Sequence, residues 1–140
     1  DTDAIFGGEE NGGLIFPEQQ YCRDGAMTAA KMLEYIAKNG SLQDGIDSLP
    51  AYFTDKRKLE CPAEKREALM EHLKGINASR RTDSTDGLKI IYPDGWALLR
   101  PSGTEQIFRI YSEAKDAETA EKRGAYYEDI VKDFLKTRKT

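Results

Sequence analysis

The stretch from Leu88 to Glu113 constrains the fold more than any other part of the chain. Leu88-Lys89-Ile90-Ile91-Tyr92 and Trp96-Ala97-Leu98-Leu99-Arg100 are short runs of aliphatic and aromatic residues, the composition of strands. Between them stands Pro93-Asp94-Gly95, a turn whose Asp-Gly pair supplies the positive dihedrals that hairpins need. A third run, Ile107 to Glu113, follows after a short loop. Strands joined by connections this short must be antiparallel, because a parallel return needs a crossover of a dozen residues or more. With Pro93-Asp94-Gly95 as the turn, Tyr92 and Trp96 flank it and are expected to pack as a cross-strand aromatic pair.

Helical patterns lie on either side. Pro62 fits the first turn of a helix running from about Ala63 to Asn77, with Leu69, Leu73 and Ile76 as one apolar stripe. A polar loop, Ala78 to Asp86, shows no core residues. The chain closes with a helix from about Ala117 to Lys136, on which Ala120, Tyr127, Val131 and Phe134 share a face. An extended segment at Ala51-Tyr52-Phe53-Thr54 precedes all of this. The resulting order is strand, helix, strand, strand, strand, helix. It predicts an α+β fold: a four-stranded, mainly antiparallel sheet with helices packed on one face.

The opening segment has a different character. Ala4-Ile5-Phe6 and Leu14-Ile15-Phe16 read as strands around the loop Gly7-Gly8-Glu9-Glu10-Asn11-Gly12-Gly13. A helix follows from Asp24, placed to cap it, to Asn39, with Gly40 to end it; a shorter one runs from Leu42 to Ser48 and stops at Pro50. Two short strands and a helix bury too little to fold independently. Residues 1–49 are therefore read as the tail of a larger α/β domain and 50–140 as a self-contained domain, with the boundary near Leu49 and Pro50. The chain is expected to be part of a longer protein.

Charge narrows the partners. A net charge of -4 gives no general field for a polyanion, so nucleic-acid binding is not expected. No stretch approaches the roughly 20 apolar residues of a membrane span. The start, Asp1-Thr2-Asp3, is unlike a secretory signal, so an intracellular protein is expected, with Cys22 and Cys61 reduced and without a role. The single histidine, His72, falls between Glu71 and Lys74 on the polar face of its helix and is a poor general base. No metal-ligating spacing occurs.

Two loops carry chemistry. Arg100-Pro101-Ser102-Gly103-Thr104 connects two strands and combines a planar fork of charged donors, two hydroxyls and a glycine that lets backbone amides approach an anion. Arg109, at the start of the next strand, could add a second cation. Those parts suit a phosphate; the same five residues also make an ordinary hairpin connection. In the other loop Glu9 and Asn11, two apart in extended chain, project to one side and offer acceptors and donors suited to sugar hydroxyls, or simply form an acidic turn.

Together, in this order and spacing, the two loops resemble the α-D-phosphohexomutase superfamily, in its archaeal-type phosphomannomutase, phosphoglucomutase and phosphoglucosamine mutase branch. The resemblance covers nearly the whole chain. Gly7 to Gly13 and Arg23-Asp24-Gly25-Ala26 are similar to the sugar-binding third domain; Thr85-Asp86-Gly87-Leu88-Lys89-Ile90, Asp94-Gly95-Trp96, Arg100 to Glu105 and Phe108 to Ala114 are similar to the fourth. The resemblance implies a TBP-like fourth domain and an intramolecular phosphotransferase, an isomerase moving phosphate between C1 and C6 of a hexose phosphate through a hexose bisphosphate. It implies that Glu9 and Asn11 hold sugar hydroxyls, and that Arg100, Ser102, Gly103 and Thr104, joined by Arg109, hold the phosphate that is not reacting. It further implies a phosphoserine and an Mg2+ ion in N-terminal domains absent from this chain, and a cytoplasmic location. No catalytic residue and no metal ligand is assigned here, and the 140 residues alone are expected to be inactive.

Three positions depart from the family pattern. Asn11 stands where many members have serine, and Gly13 where bacterial members often have histidine. Gln106 replaces a usual proline, freeing a backbone donor and loosening the phosphate loop. The competing reading is a stand-alone module that binds phosphosugars without catalysis; a longer parent gene separates the two.

Overall fold

A computed structural model describes residues 3–9 and 12–137. The chain divides into two compact units, Asp1–Pro50 and Ala51–Thr140.

In the first unit a two-residue strand β1 (Gly7–Gly8) pairs antiparallel with β2 (Leu14–Ile15). The first strand thus lies inside the glycine run and not at Ala4-Ile5-Phe6, where composition placed it. Ile5 is 92% exposed, so its apolar side chain gains nothing from burial within this unit. Helix α1 (Gly25–Asn39) begins at Asp24, whose carboxylate accepts from the Met27 amide at 2.9 Å, and ends at Gly40 with φ 92°. Helix α2 (Leu42–Asp47) is capped by Ser41. No residue of either helix is buried; Phe16 is the buried hydrophobic residue of this unit among those described.

The second unit is a complete α+β layer pair. Strand β3 (Phe53–Glu60) runs longer than the four extended residues read from sequence. A 3-10 turn at Ala63–Lys65 leads into α3 (Arg66–Ile76). Then follow β4 (Thr82–Asp83), β5 (Leu88–Tyr92), β6 (Gly95–Pro101), β7 (Ile107–Ala114) and α4 (Ala117–Thr137). The sheet has five strands in the order β3-β7-β6-β5-β4, all antiparallel. The unexpected fifth strand is an edge of two polar residues taken from the loop read as coreless. It carries no apolar pattern, because an edge pair of this length buries nothing.

Both helices cover one face. Leu69 and Leu73 of α3 and Tyr127 and Val131 of α4 pack on Leu88, Ile90, Leu99, Phe108 and Ile110, all essentially fully buried. Ile76, assigned to the same stripe as Leu69 and Leu73, stays 43% exposed at the end of α3. The polar groups of this core are paired. Tyr127 donates to Asn77 Oδ1 at 2.9 Å, Asn77 donates to the Leu73 carbonyl at 2.8 Å, and Ser112 donates to the Ala120 carbonyl at 2.8 Å.

The hairpin register corrects one expectation. Tyr92 pairs with Gly95, so the turn is the two residues Pro93 and Asp94, and Trp96 stands opposite Ile91. A one-residue shift moves a side chain to the other face of the sheet. Tyr92 therefore meets the Tyr127 hydroxyl on the helix side, while Trp96 donates to Glu113 Oε1 on the outer side; they do not pair with each other. Gly95 is needed not for turn dihedrals but because β7 runs so close that a Cβ would collide with the Glu113 carbonyl.

Candidate functional site

The loop from Pro101 to Ile107 is closed at its base by the Ser102 amide donating to the Ile107 carbonyl at 2.9 Å. Ser102 is buried, and its hydroxyl accepts from the Glu105 amide at 3.3 Å, so this side chain organises the loop from inside. Further along, the Arg66 guanidinium donates to the Glu105 carbonyl at 2.5 Å, and the Cys61 amide donates to the Gln106 carbonyl at 2.9 Å. Gln106 is thus tied down through its carbonyl, an acceptor that a proline would offer equally.

Held at both ends, the loop exposes Gly103 and Thr104 at its crest. Gly103 is not among the positive-φ glycines, and a Cβ there would touch nothing within 4 Å. Internal packing therefore does not require glycine at this position.

Two arginines stand beside this crest. Arg100 on β6 and Arg109 on β7 are cross-strand partners, so both emerge on the face of the sheet away from the helices. Each is matched by one carboxylate: Arg100 Nη1 lies 2.8 Å from Asp86 Oδ2, and Arg109 Nη2 donates to Glu105 Oε2 at 3.0 Å. Asp86 is presented by a shaped turn. The Thr85 hydroxyl and amide both donate to Asp83, which holds the Asp83 carboxyl below the usual range. Gly87 then takes φ 85°, where a Cβ would stand 2.6 Å from the Leu99 carbonyl.

A concavity of about 560 Å³ adjoins the loop, bordered by Arg100, Pro101 and Gly103, by Ser84, Asp86 and Gly87, and by α3 residues including Glu71 and Lys74. Its charged lining is three carboxylates, Glu67, Glu71 and Asp86, and two cations, Lys74 and Arg100, which Glu71 and Asp86 each meet at 2.8 Å. Among the predicted phosphate-loop residues, Arg100 and Gly103 border the concavity, Thr104 lies on the exposed crest, Arg109 flanks Arg100, and Ser102 points inward.

In the first unit, the loop leaving β1 closes through the Gly12 amide on the Glu9 carbonyl and the Glu9 amide on the Gly13 carbonyl. The Glu9 carboxylate is exposed and meets Arg23 Nη1 at 3.2 Å. Asn11 lies outside the described residues. Arg23 is a partner that reading the loop alone did not supply; in sequence it stands just before the helix cap Asp24, within the stretch Arg23-Asp24-Gly25-Ala26 that carries part of the resemblance.

Comparison with known proteins matches both units. The family described as "Phosphoglucomutase/phosphomannomutase, C-terminal domain" matches residues 53–126, and "Phosphoglucomutase/phosphomannomutase, alpha/beta/alpha domain III" matches residues 1–53. The chain belongs to the phosphoglucomutase/phosphomannomutase family. A phosphoglucomutase/phosphomannomutase of Thermococcus kodakarensis is 46% identical over 123 residues, which are 86% of this chain and 27% of that protein. A probable phosphoglucosamine mutase of Methanocella arvoryzae is 40% identical over 133 residues, 94% of this chain and 30% of the relative. The crystal structure of a phosphoglucomutase/phosphomannomutase family protein from Burkholderia thailandensis superposes with a TM-score of 0.69 at 26% identity, covering 96% of this chain and 28% of the other. The chain thus spans under a third of the length of these proteins.

Among the described residues no three or more His, Cys, Asp or Glu side chains are grouped to hold a metal ion, and no helix is long and apolar enough to cross a membrane.

Proposed function

We propose that this chain is the substrate-gripping C-terminal part of a phosphohexomutase, a phosphotransferase that interconverts hexose 1-phosphates and hexose 6-phosphates through a bisphosphorylated sugar. Residues 1–49 are the end of the sugar-binding domain, where Glu9 and Asn11 hold sugar hydroxyls. Residues 50–140 form the phosphate-binding domain, where Arg100, Gly103, Thr104 and Arg109 hold the phosphoryl group that is not reacting and Ser102 shapes the loop. The observation that carries the reading is the crest itself: a glycine that internal packing does not require, beside two arginines in cross-strand register.

Such a grip contributes position. Charge-assisted hydrogen bonds from Arg100 and Arg109, with the Thr104 hydroxyl and the Gly103 and Thr104 amides, fix one end of the substrate, and the other end is then held for in-line transfer. Bond-making belongs to residues outside this chain, and so does Mg2+, which would stabilise charge on the transferring phosphoryl group when bound. These 140 residues alone therefore convert no hexose phosphate.

The test is a titration of the chain with glucose 6-phosphate while backbone amide shifts are followed. Perturbation centred on residues 102–104 and abolished by Arg100→Ala is expected. Shifts scattered elsewhere, or unchanged by Arg100→Ala, overturn the reading.

A further inference from the structure

Lys58 lies on β3 directly opposite Arg109, and Arg109 lies directly opposite Arg100. Three cations on adjacent strands thus form one row across the exposed face of the sheet, with side chains starting about 4.5–5.5 Å apart. Like charges directly opposite one another destabilise a sheet, so folding alone gives no reason for this row. The two arginines are each relieved by a carboxylate, Asp86 and Glu105. Lys58 is exposed, and among the described residues no carboxylate stands within ion-pair distance of it. The row therefore keeps one uncompensated positive charge at its β3 end. In addition, Arg109 Nε is buried without a hydrogen-bond acceptor.

The next cation along β3 behaves differently. Lys56, two residues away on the same face, stands over the Tyr111 ring at 5.9 Å. Lys58 alone of this pair is in line with the arginines beside the 102–106 loop.

We propose that Lys58 is a third cation of the phosphate site, contacting the solvent-facing oxygens of a phosphoryl dianion held by Arg100 and Arg109. This rests on the reading of the loop as a phosphate grip and adds a residue of β3 to it. A dianion in front of the row offsets the mutual repulsion of the three side chains, so binding and folding reinforce each other at this edge.

The experiment measures inorganic phosphate binding to the full 140-residue chain at low ionic strength, by amide shifts at Gly103 and Thr104 and by the thermal midpoint. Lys58→Gln is expected to weaken binding about three- to fivefold, while Lys58→Arg stays within about twofold and Lys56→Gln changes affinity by less than about twofold. Without phosphate, Lys58→Gln is expected to melt no lower than the unaltered chain, since it relieves repulsion. Equal weakening by Lys58→Gln and Lys56→Gln, no weakening by Lys58→Gln, or a lowered midpoint without phosphate each overturns the proposal. If Arg100→Ala still abolishes binding in those cases, the phosphate-grip reading stands without Lys58. Absence of any phosphate-dependent shift at Gly103 and Thr104 in the unaltered chain overturns both.

Discussion

Asp86 Oδ2 lies 2.8 Å from Arg100 Nη1, so the arginine that borders the loop is already paired before any ligand arrives. Both side chains are substantially exposed, 45% for Arg100 and 65% for Asp86, so the pair is weak and Arg100 can turn part of its donor fork toward an anion. A carboxylate this close also repels a phosphate.

Asp86→Asn should therefore tighten binding of inorganic phosphate by about two- to fivefold, the scale of one exposed charge pair. Isothermal titration at low salt would show it, and the gain should shrink as salt is added. Weaker binding in Asp86→Asn would mean that Asp86 serves mainly to hold Arg100 in place.

Thr104→Ala and Ser102→Ala should separate ligand contact from loop construction. Thr104 is exposed, so its loss should leave stability within about 0.5 kcal/mol while lowering phosphate affinity roughly tenfold. Ser102 accepts from the Glu105 amide inside the loop, and Ser102→Ala should cost about 1 kcal/mol of stability as well as affinity. Denaturant melts paired with phosphate titrations distinguish the two.

Gly87→Ala should destabilise the second unit by about 1–3 kcal/mol, because the residue takes a left-handed φ of 85° and a Cβ meets the Leu99 carbonyl. Urea unfolding measures this. The same change should displace Asp86 and alter phosphate binding, whereas a Gly103→Ala chain should keep its stability and lose affinity.

Tyr127→Phe should cost about 1–3 kcal/mol, since it leaves buried Asn77 Oδ1 and the Tyr92 hydroxyl without their shared partner. Thermal unfolding of the single and Tyr92→Phe double variants would show strong non-additivity.

Acid should weaken the fold partly through Glu128. Lys132 and then Arg57 hold its carboxyl below the usual glutamate range. A depressed carboxyl contributes stability that is fully present above its unfolded value and lost as pH falls through the folded one. The thermal midpoint should fall on acidification across and below the ordinary glutamate range, and Glu128→Gln should flatten part of that slope. An unchanged slope would show that the Arg57 cluster adds nothing.

Much of this was legible in the residues. Strands β5, β6 and β7 announce themselves by aliphatic and aromatic runs, and α1 by Asp24 and Gly40 at its ends. The loop proposed to grip phosphate stood out because arginine, serine, glycine and threonine occur together between strands. β1 and β4 were not, because a pair of glycines and an exposed Thr-Asp pair carry no burial pattern. Arg23 and Asp86 escaped as partners for the same reason, since neither ion pair leaves a mark in local periodicity.

The sequence by itself determined the order of the elements other than β1 and β4, their α+β class and the family to which the chain belongs, since apolar spacing, caps and loop chemistry are local properties. Only the tertiary structure decided the register. A two-residue turn at Pro93-Asp94 in place of three sends Tyr92 and Trp96 to opposite faces, and pairing of β3 with β7 and of β7 with β6 sets Lys58, Arg109 and Arg100 in one row. Side chains alternate with period two along a strand, so a slip of one residue, invisible in composition, exchanges what is buried for what can meet a ligand.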